Sequence, residues 1–162
     1  MQYRDYGNEG YKVSAFGMGC MRVPHVKDEH GNKIIQREEA IKMIRYAADH
    51  GVTYFDSARM YFNGDCDALL GEALAGGYRE KVKVVSKIPP RFVNSEEEFN
   101  NTLDDMLKKL QTDYLDVLLA HDMNREAWDR FQQMGMYQWM EKAKQAGKIK
   151  AIGFSFHDDV DL

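Results

Sequence analysis

Length, composition and charge exclude several classes of protein. The chain has 162 residues, enough for one domain with a core, and its 44% hydrophobic and 30% charged residues are typical of a globular protein. A net charge of −4 argues against binding to nucleic acid or to a membrane surface, and no apolar run approaches the roughly 18 residues of a membrane span. The two cysteines lack the spacing of zinc ligands or of a disulfide framework, and the N-terminus lacks the apolar core of a signal peptide, so we expect a cytoplasmic protein.

The first fifty residues predict a hairpin, a strand, a loop and a helix. Residues 2–14 contain two strand-like segments around a glycine-rich turn. Residues 15–19 predict a buried first strand, and residues 20–33 predict a loop. Apolar residues recur at helical spacing over residues 36–50, and Gly51 ends that predicted helix.

Beyond Gly51 the sequence alternates between apolar strands and amphipathic helices. The strands begin near residues 52, 82, 114 and 149, and intervals of roughly 30 to 35 residues suit strand–helix units that build a parallel sheet. The helix after the second of these strands has a capping box, formed by Ser95 and Glu98. No G-x-G-x-x-G motif follows the first strand, so a barrel is favoured over a doubly wound dinucleotide fold.

The predicted fold class is α/β. The pattern predicts a partial TIM (β/α)8 barrel, with an N-terminal hairpin, about five parallel strands and four helices. A complete barrel typically has about 250 residues. Residues 1–162 are therefore predicted to be the N-terminal portion of a single barrel domain, apparently truncated.

Polar side chains follow three consecutive predicted strands. Asp56 and Tyr61 follow the strand that begins near residue 52, Lys87 follows the next, and His121 follows the third. Because the carboxyl ends of parallel strands meet at one edge of the sheet, we expect these four side chains to lie close together. An acid, a phenol, a lysine and a histidine form a set that is suited to proton transfer.

These motifs resemble the aldo-keto reductase family, whose barrel carries an Asp–Tyr–Lys–His tetrad. The matching segments are residues 17–22, residues 54–58 with Tyr61, residues 84–87, residues 113–121 and residues 152–155. The resemblance covers essentially the whole chain and is closest to the bacterial or archaeal branch, which often carries a C-terminal iron–sulfur tail. The sequence contains no cysteine cluster for an iron–sulfur centre.

The resemblance implies an NAD(P)H-dependent oxidoreductase that reduces a small-molecule carbonyl to an alcohol. NADPH is the expected cofactor, with NADH as the alternative. Tyr61 would be the general acid; a free phenol has a pKa of about 10, and the neighbouring Lys87 cation would stabilise the phenolate. Asp56 would keep Lys87 charged, and His121 would position the carbonyl oxygen. The tetrad needs no metal.

The resemblance also implies the residues that contact the cofactor. These are Cys20, Met21, Arg22, Asp56 and Ser155. The first three would lie near the nicotinamide ribose, and Ser155 would hold the carboxamide, with Phe156 where the family usually has asparagine. The segments that grip the pyrophosphate and the adenosine phosphate belong to later strands of the family's barrel, which this sequence does not contain.

The same sequence leaves two alternative functions open and also predicts that copies of the chain associate. The chain could be a non-catalytic half-barrel or a regulatory relative that keeps the motifs without turnover. A metal-dependent hydrolase is a further alternative, although it would leave Tyr61 and Lys87 without a task. Its candidate ligands are Asp56, His121, Asp122, His157, Asp158 and Asp159. Unpaired edges at the first strand and at strand 149–154 predict self-association.

Overall fold

A computed structural model describes all residues from 1 to 162. The chain opens with an antiparallel hairpin of β1 (Tyr3–Asp5) and β2 (Lys12–Ser14), which confirms the predicted hairpin. Tyr6 and Tyr11 lie in the connection, and their rings stack with centroids 5.5 Å apart. No helix in the structure combines the length and the apolar character needed to cross a membrane.

Twelve strands and α-helices follow the first hairpin. They are β3 (Met18–Gly19), β4 (His25–Lys27), β5 (Lys33–Ile35), α1 (Arg37–Asp49), β6 (Tyr54–Asp56), α2 (Asp65–Leu74), β7 (Lys83–Ile88), α3 (Glu96–Leu110), β8 (Leu115–Met123), α4 (Arg125–Met134), α5 (Met136–Gln145) and β9 (Ile149–Phe156). Five parallel strands form the central sheet, in the order β3-β6-β7-β8-β9. Helices α1, α2, α3 and the pair α4–α5 connect these strands in turn.

Alternating strand residues face two different environments. One face of the sheet, with Val84 and Leu118, joins the buried helix side chains in a core of 29 residues. The other face carries a small cluster of Val85, Val117 and Ala151, against which Tyr6 of the hairpin connection packs. The helices therefore cover one face of the sheet, and the N-terminal hairpin partly covers the other.

The predicted capping box begins α3. Ser95 Oγ accepts a hydrogen bond from the backbone N–H of Glu98 at 3.1 Å. The Glu98 carboxylate accepts from the backbone N–H of Asn94 at 2.7 Å, one residue before the position that the motif predicts. The Ser95 bond satisfies one of the N–H groups that the first turn of a helix cannot pair internally, and the Glu98 bond ties down the residue that precedes the cap.

Three predictions made from the sequence were wrong in part. The first strand covers Met18–Gly19 alone, and Phe16 is exposed rather than buried. The expected loop over residues 20–33 contains a second hairpin, in which β4 pairs with β5. The chain has five α-helices rather than four, because α4 precedes the helix that the sequence predicted.

Candidate active site

The carboxyl ends of β6, β7 and β8 bring the predicted tetrad to one edge of the sheet. Asp56 ends β6, and Lys87 and His121 lie in the last residues of β7 and β8. The backbone pairing with β7 continues one residue past the end of β6, because the Ser57 N–H donates a hydrogen bond to the Val85 carbonyl at 2.8 Å. This pairing fixes the backbone from which the next polar side chains project.

Lys87 is the centre of the arrangement. Its side chain is almost fully buried, and its Nζ donates hydrogen bonds to Asp56 Oδ1, to the Ser57 carbonyl at 2.7 Å and to the Tyr61 hydroxyl at 3.4 Å. An ammonium group has three N–H donors, and each has an acceptor here. The buried cation is therefore paired and fully hydrogen-bonded, which offsets the loss of water around it.

Tyr61 lies on a tight loop between β6 and α2. The next three residues, Phe62, Asn63 and Gly64, all have positive φ angles, of 49°, 54° and 88°. Such a run is sterically unfavourable for a bulky residue such as phenylalanine. The Phe62 ring meets the ring of His25 edge-on at 5.5 Å, so the unexpected β4–β5 hairpin supports the loop that carries Tyr61.

His121 completes the predicted tetrad. It is 6% exposed, and its ring stands edge-on to the Tyr61 ring with centroids 5.8 Å apart. Burial, followed by the positive charge of Lys87, lowers the pKa of His121 to about 4, while the neighbouring Asp122 acts in the opposite direction. The imidazole is therefore neutral near pH 7, and its buried Nδ1 has no hydrogen-bond partner in the structure.

The predicted cofactor residues occupy two places beside the tetrad. Gly19 is paired with Asp56 across β3 and β6, so Cys20, Met21 and Arg22 follow directly from the neighbouring strand end. Met21 and Arg22 are exposed, whereas the Cys20 side chain is buried in the core. A cofactor contact at Cys20 would therefore come from its backbone.

Ser155 lies beside His121 at the end of β9. Its Oγ accepts a hydrogen bond of 2.8 Å from the backbone N–H of Asp122. Asp122 has a positive φ of 62°, and the register of β8 against β9 shifts between Ala120 and Met123. The irregularity turns the end of β8 so that its backbone meets the Ser155 hydroxyl, whose hydrogen remains available to donate.

The structure also brings in residues that the sequence did not predict. The Ser57 carbonyl is a direct partner of Lys87, and the buried Asp67 contacts Ser57 and Ser86. One signal could have found Asp67, because it lies three and seven residues before Leu70 and Leu74 and so falls on the apolar face of α2.

The candidate ligands of the alternative metal site are less well grouped. Asp56 is bonded to Lys87, and Asp122 forms an ion pair with Arg91 at 2.8 Å. The Asp158 carboxylate accepts from the backbone N–H of Arg125. The structure groups no three His, Cys, Asp or Glu side chains that could hold a metal ion.

The fold and the site together define a class of protein: part of a (β/α)8 barrel with polar groups at the carboxyl ends of its parallel strands. Residues 16–162 match the aldo/keto reductase family. The chain therefore belongs to the aldo/keto reductase family, and the resemblance seen in the sequence is confirmed.

Solved structures support the partial barrel. An aldo-keto reductase from Bacillus halodurans, AKR11C1 in its holo form, is 25% identical with a TM-score of 0.78, and the match covers 96% of this chain and 50% of that one. An aldo-keto reductase from Klebsiella pneumoniae in complex with NADPH is 31% identical with a TM-score of 0.77, and the match covers 94% of this chain and 49% of that one.

Curated relatives give the same picture. The methylglyoxal reductase YeaE of Escherichia coli is 34% identical over 132 residues, which are 82% of this chain and 44% of that protein. A probable voltage-gated potassium channel subunit beta of Arabidopsis thaliana is 31% identical over 129 residues, 75% of this chain and 37% of that protein. The chain spans less than half the length of these relatives.

Proposed function

We propose that this chain carries the proton-transfer groups of a carbonyl reductase that uses NADPH. The observation that carries the proposal is the set of hydrogen bonds from Lys87 Nζ, because one buried cation joins the Asp56 carboxylate to the Tyr61 hydroxyl. The NADPH-bound Klebsiella reductase, with a TM-score of 0.77, supports this cofactor. The cytoplasmic location expected from the sequence stays a prediction.

The residues present fit the nicotinamide end of such a cofactor. The Ser155 hydroxyl can donate to a carboxamide oxygen, because its oxygen already accepts from Asp122. Met21 and Arg22 are exposed and follow β3, whose Gly19 pairs with Asp56, and by the resemblance they would contact the ribose. No residue of the chain is assigned here to the phosphates, in agreement with the resemblance.

The reaction needs one hydride and one proton. NADPH, when bound, supplies the hydride to the carbonyl carbon. Tyr61 donates its hydroxyl proton to the carbonyl oxygen, which becomes the oxygen of the alcohol. The phenolate left behind lies 3.4 Å from the Lys87 ammonium, whose charge stabilises it. Asp56 and the Ser57 carbonyl hold that ammonium in place.

His121 has a different task, because it is neutral near pH 7. A neutral imidazole carries one N–H donor and one acceptor nitrogen. Its ring stands edge-on to the Tyr61 ring, so a carbonyl oxygen that meets the Tyr61 hydroxyl is also within reach of the imidazole. We assign to His121 the second hydrogen bond to the carbonyl oxygen, which polarises the carbonyl and orients it.

The test uses a completed barrel, in which residues 1–162 are joined to the second half of the Klebsiella pneumoniae reductase. The loss of NADPH absorbance is followed with methylglyoxal, the carbonyl in the name of the Escherichia coli relative, and NADH is compared as the second cofactor. We expect carbonyl-dependent oxidation of NADPH that is lost in the Tyr61→Phe variant. A folded completed barrel that binds NADPH but reduces no carbonyl would overturn the proposal.

A binding role without turnover is the second candidate function. One observation favours it: an apolar groove of about 1000 Å³ along β9, lined by residues that include Trp128, Tyr137, Phe154 and Phe156. The similarity to the probable potassium channel subunit of Arabidopsis thaliana points in the same direction. An inactive completed barrel whose isolated N-terminal half still associates through this groove would favour the second candidate.

A further inference from the structure

Asp67 is a buried carboxyl group for which the proposed reaction has no direct use. It lies in the first turn of α2, beside Cys66, and no part of it is exposed to solvent. Burial raises the pKa of Asp67, whereas the hydrogen bonds from Ser57 and Ser86 and the charges of Arg59 and Lys109 act in the opposite direction. None of the ion pairs in the structure includes Asp67. A buried carboxylate without a paired cation is costly, so burial shifts Asp67 toward the neutral acid.

One oxygen of Asp67 links two strand ends of the site. Asp67 Oδ1 accepts a hydrogen bond of 2.6 Å from Ser57 Oγ and one of 3.1 Å from Ser86 Oγ. Both serines are fully buried. Ser57 directly follows Asp56, and Ser86 directly precedes Lys87, so the two serines flank the ion pair between the half-buried Asp56 and the buried Lys87.

The second oxygen, Oδ2, has no hydrogen-bond partner in the structure. In the neutral acid, the carbonyl oxygen Oδ1 accepts both serine hydroxyls while Oδ2 carries the proton. The amide of asparagine offers the same acceptor oxygen in nearly the same shape. An aliphatic side chain of similar size offers none and leaves two buried hydroxyls unpaired.

We propose that Asp67 is a positioning residue for the proton-transfer set. Its hydrogen bond fixes Ser57, and the Ser57 carbonyl in turn accepts a hydrogen bond of 2.7 Å from Lys87 Nζ. A change in Ser57 therefore moves the ammonium group relative to the Tyr61 hydroxyl. The meaning of this role for catalysis rests on the proposed function, whereas the placement of Lys87 can be tested without turnover.

The readout is the NMR titration of His121 in the purified chain, because the positive charge of Lys87 helps to set its pKa of about 4. A His121→Gln variant assigns the signal. We expect Asp67→Asn to keep the His121 titration of the unchanged chain. Asp67→Leu should raise the pKa of His121 from about 4 toward its ordinary value of about 6.5, because burial of the imidazole persists but the Lys87 ammonium is no longer fixed by the Ser57 carbonyl.

A merely structural role for Asp67 predicts a different pattern, in which both variants lower stability and neither changes the His121 titration. That pattern overturns the proposal. An Asp67→Asn variant that shifts the pKa of His121 as far as Asp67→Leu does would also overturn it. If Asp67→Leu does not fold, the double variant Ser57→Ala/Ser86→Ala removes both donors, and the same titration decides. An inactive completed barrel, together with the expected shifts in the chain, counts against the proposed function alone.

Discussion

Lys87 Nζ lies 3.4 Å from the Tyr61 hydroxyl oxygen and 5.0 Å from the centre of the Tyr61 ring. The cation therefore interacts with both the hydroxyl and the π-system of the same side chain. Because Lys87 is buried, its charge acts on Tyr61 through a medium that screens it less than water does. The two side chains form one unit, and the loss of either should disable proton transfer.

Replacing Tyr61 by phenylalanine removes the proton donor while it keeps the ring. In the completed barrel we expect Tyr61→Phe to lower kcat/KM for methylglyoxal by about 10²–10⁴, the usual contribution of general acid catalysis. Lys87→Met should cause a loss of similar size, since it removes the cation that stabilises the phenolate. Steady-state rates give the loss, and titration calorimetry checks that NADPH affinity stays within about twofold of the unchanged protein.

Tyr78 offers a matched control for Tyr61→Phe. Its hydroxyl donates to Asp49 at 3.2 Å on the surface, away from the candidate site. Tyr78→Phe should therefore leave the reduction rate unchanged. A Tyr61→Phe variant whose activity lies within a few-fold of that of Tyr78→Phe would contradict the assignment of the general acid.

His121 makes stability depend on pH in the acid range. Its pKa is about 4 in the folded chain and about 6.5 in an unfolded one, so the unfolded chain binds the extra proton between these values. The stability linked to neutral His121 is complete above about pH 6.5 and is lost as the pH falls toward 4. We expect the unfolding free energy to fall by roughly 2–3 kcal/mol more across this window than it does in His121→Gln.

Denaturant unfolding at several pH values measures this difference. Because both proteins contain the same other titratable groups, their contributions cancel in the comparison. Equal pH dependence of unfolding for the two proteins would show that His121 is not held neutral by its surroundings. The Lys87→Met variant provides a second check, since removal of that charge should raise the pKa of His121.

The strand ends could be predicted from the sequence because parallel strands align their carboxyl ends. Asp56, Lys87 and His121 each follow an apolar run. The alternation of strands and helices predicts a parallel sheet, and a parallel sheet places these three residues at one edge. The hydrogen bonds of Lys87 were harder to foresee. The Ser57 carbonyl is a backbone group, and the pattern of side chains in a sequence does not predict the direction of a backbone carbonyl.

The missed helix carried signals that the sequence prediction did not use. In helix α4 Phe131 is the one buried residue, but Trp128, Phe131 and Met134 recur at helical spacing. Its ends do carry signals: Asn124 accepts from the backbone N–H of Ala127 as an N-cap, and Gly135 follows the helix with a positive φ. In the β4–β5 hairpin, three-residue strands are too short to show an alternation.

Gly71 allows α2 and α3 to approach each other closely. A Cβ atom at Gly71 would lie against the Lys109 carbonyl and 2.8 Å from the Leu110 carbonyl carbon, and neither backbone group can move aside cheaply. We expect Gly71→Ala to lower the unfolding free energy by about 1–3 kcal/mol, despite the better helix propensity of alanine. Urea unfolding measures the change.

Gly19 is the matched control for Gly71→Ala. It has an extended backbone, and a Cβ atom there would meet nothing within 4 Å. Gly19→Ala should therefore stay within about 0.5 kcal/mol of the unchanged chain. An equal effect at both positions would show that the close contact between α2 and α3 is not what Gly71 provides.

The exposed edge of the sheet should drive self-association of the isolated chain, which we propose as its default state. Strand β9 lies at the end of the sheet order, and its outward Phe154 is 65% exposed beside the apolar groove. Such an edge pairs readily with another chain. Sedimentation velocity should show association that Phe154→Lys abolishes, whereas Tyr46→Lys, at an equally exposed site on α1, leaves it intact. A compact monomer at every concentration would contradict the proposal.

The isolated chain should bind NADPH at least about a hundredfold more weakly than the completed barrel. It retains the residues assigned to the nicotinamide end, but the family's phosphate contacts come from later strands. Hydrogen bonds to charged groups contribute about 1.5–3 kcal/mol each. The loss of two or three removes several kcal/mol, and each 1.4 kcal/mol corresponds to about a tenfold change in affinity.

Titration calorimetry on the chain and on the completed barrel tests this difference in NADPH affinity, and the Phe154→Lys variant decides how an unexpected result is interpreted. A micromolar constant for the chain that persists in the monomeric variant would mean that the cofactor site has been misplaced. Tight binding that disappears with Phe154→Lys would instead mean that two copies together rebuild the phosphate contacts that one copy lacks, because only the associated form would then bind.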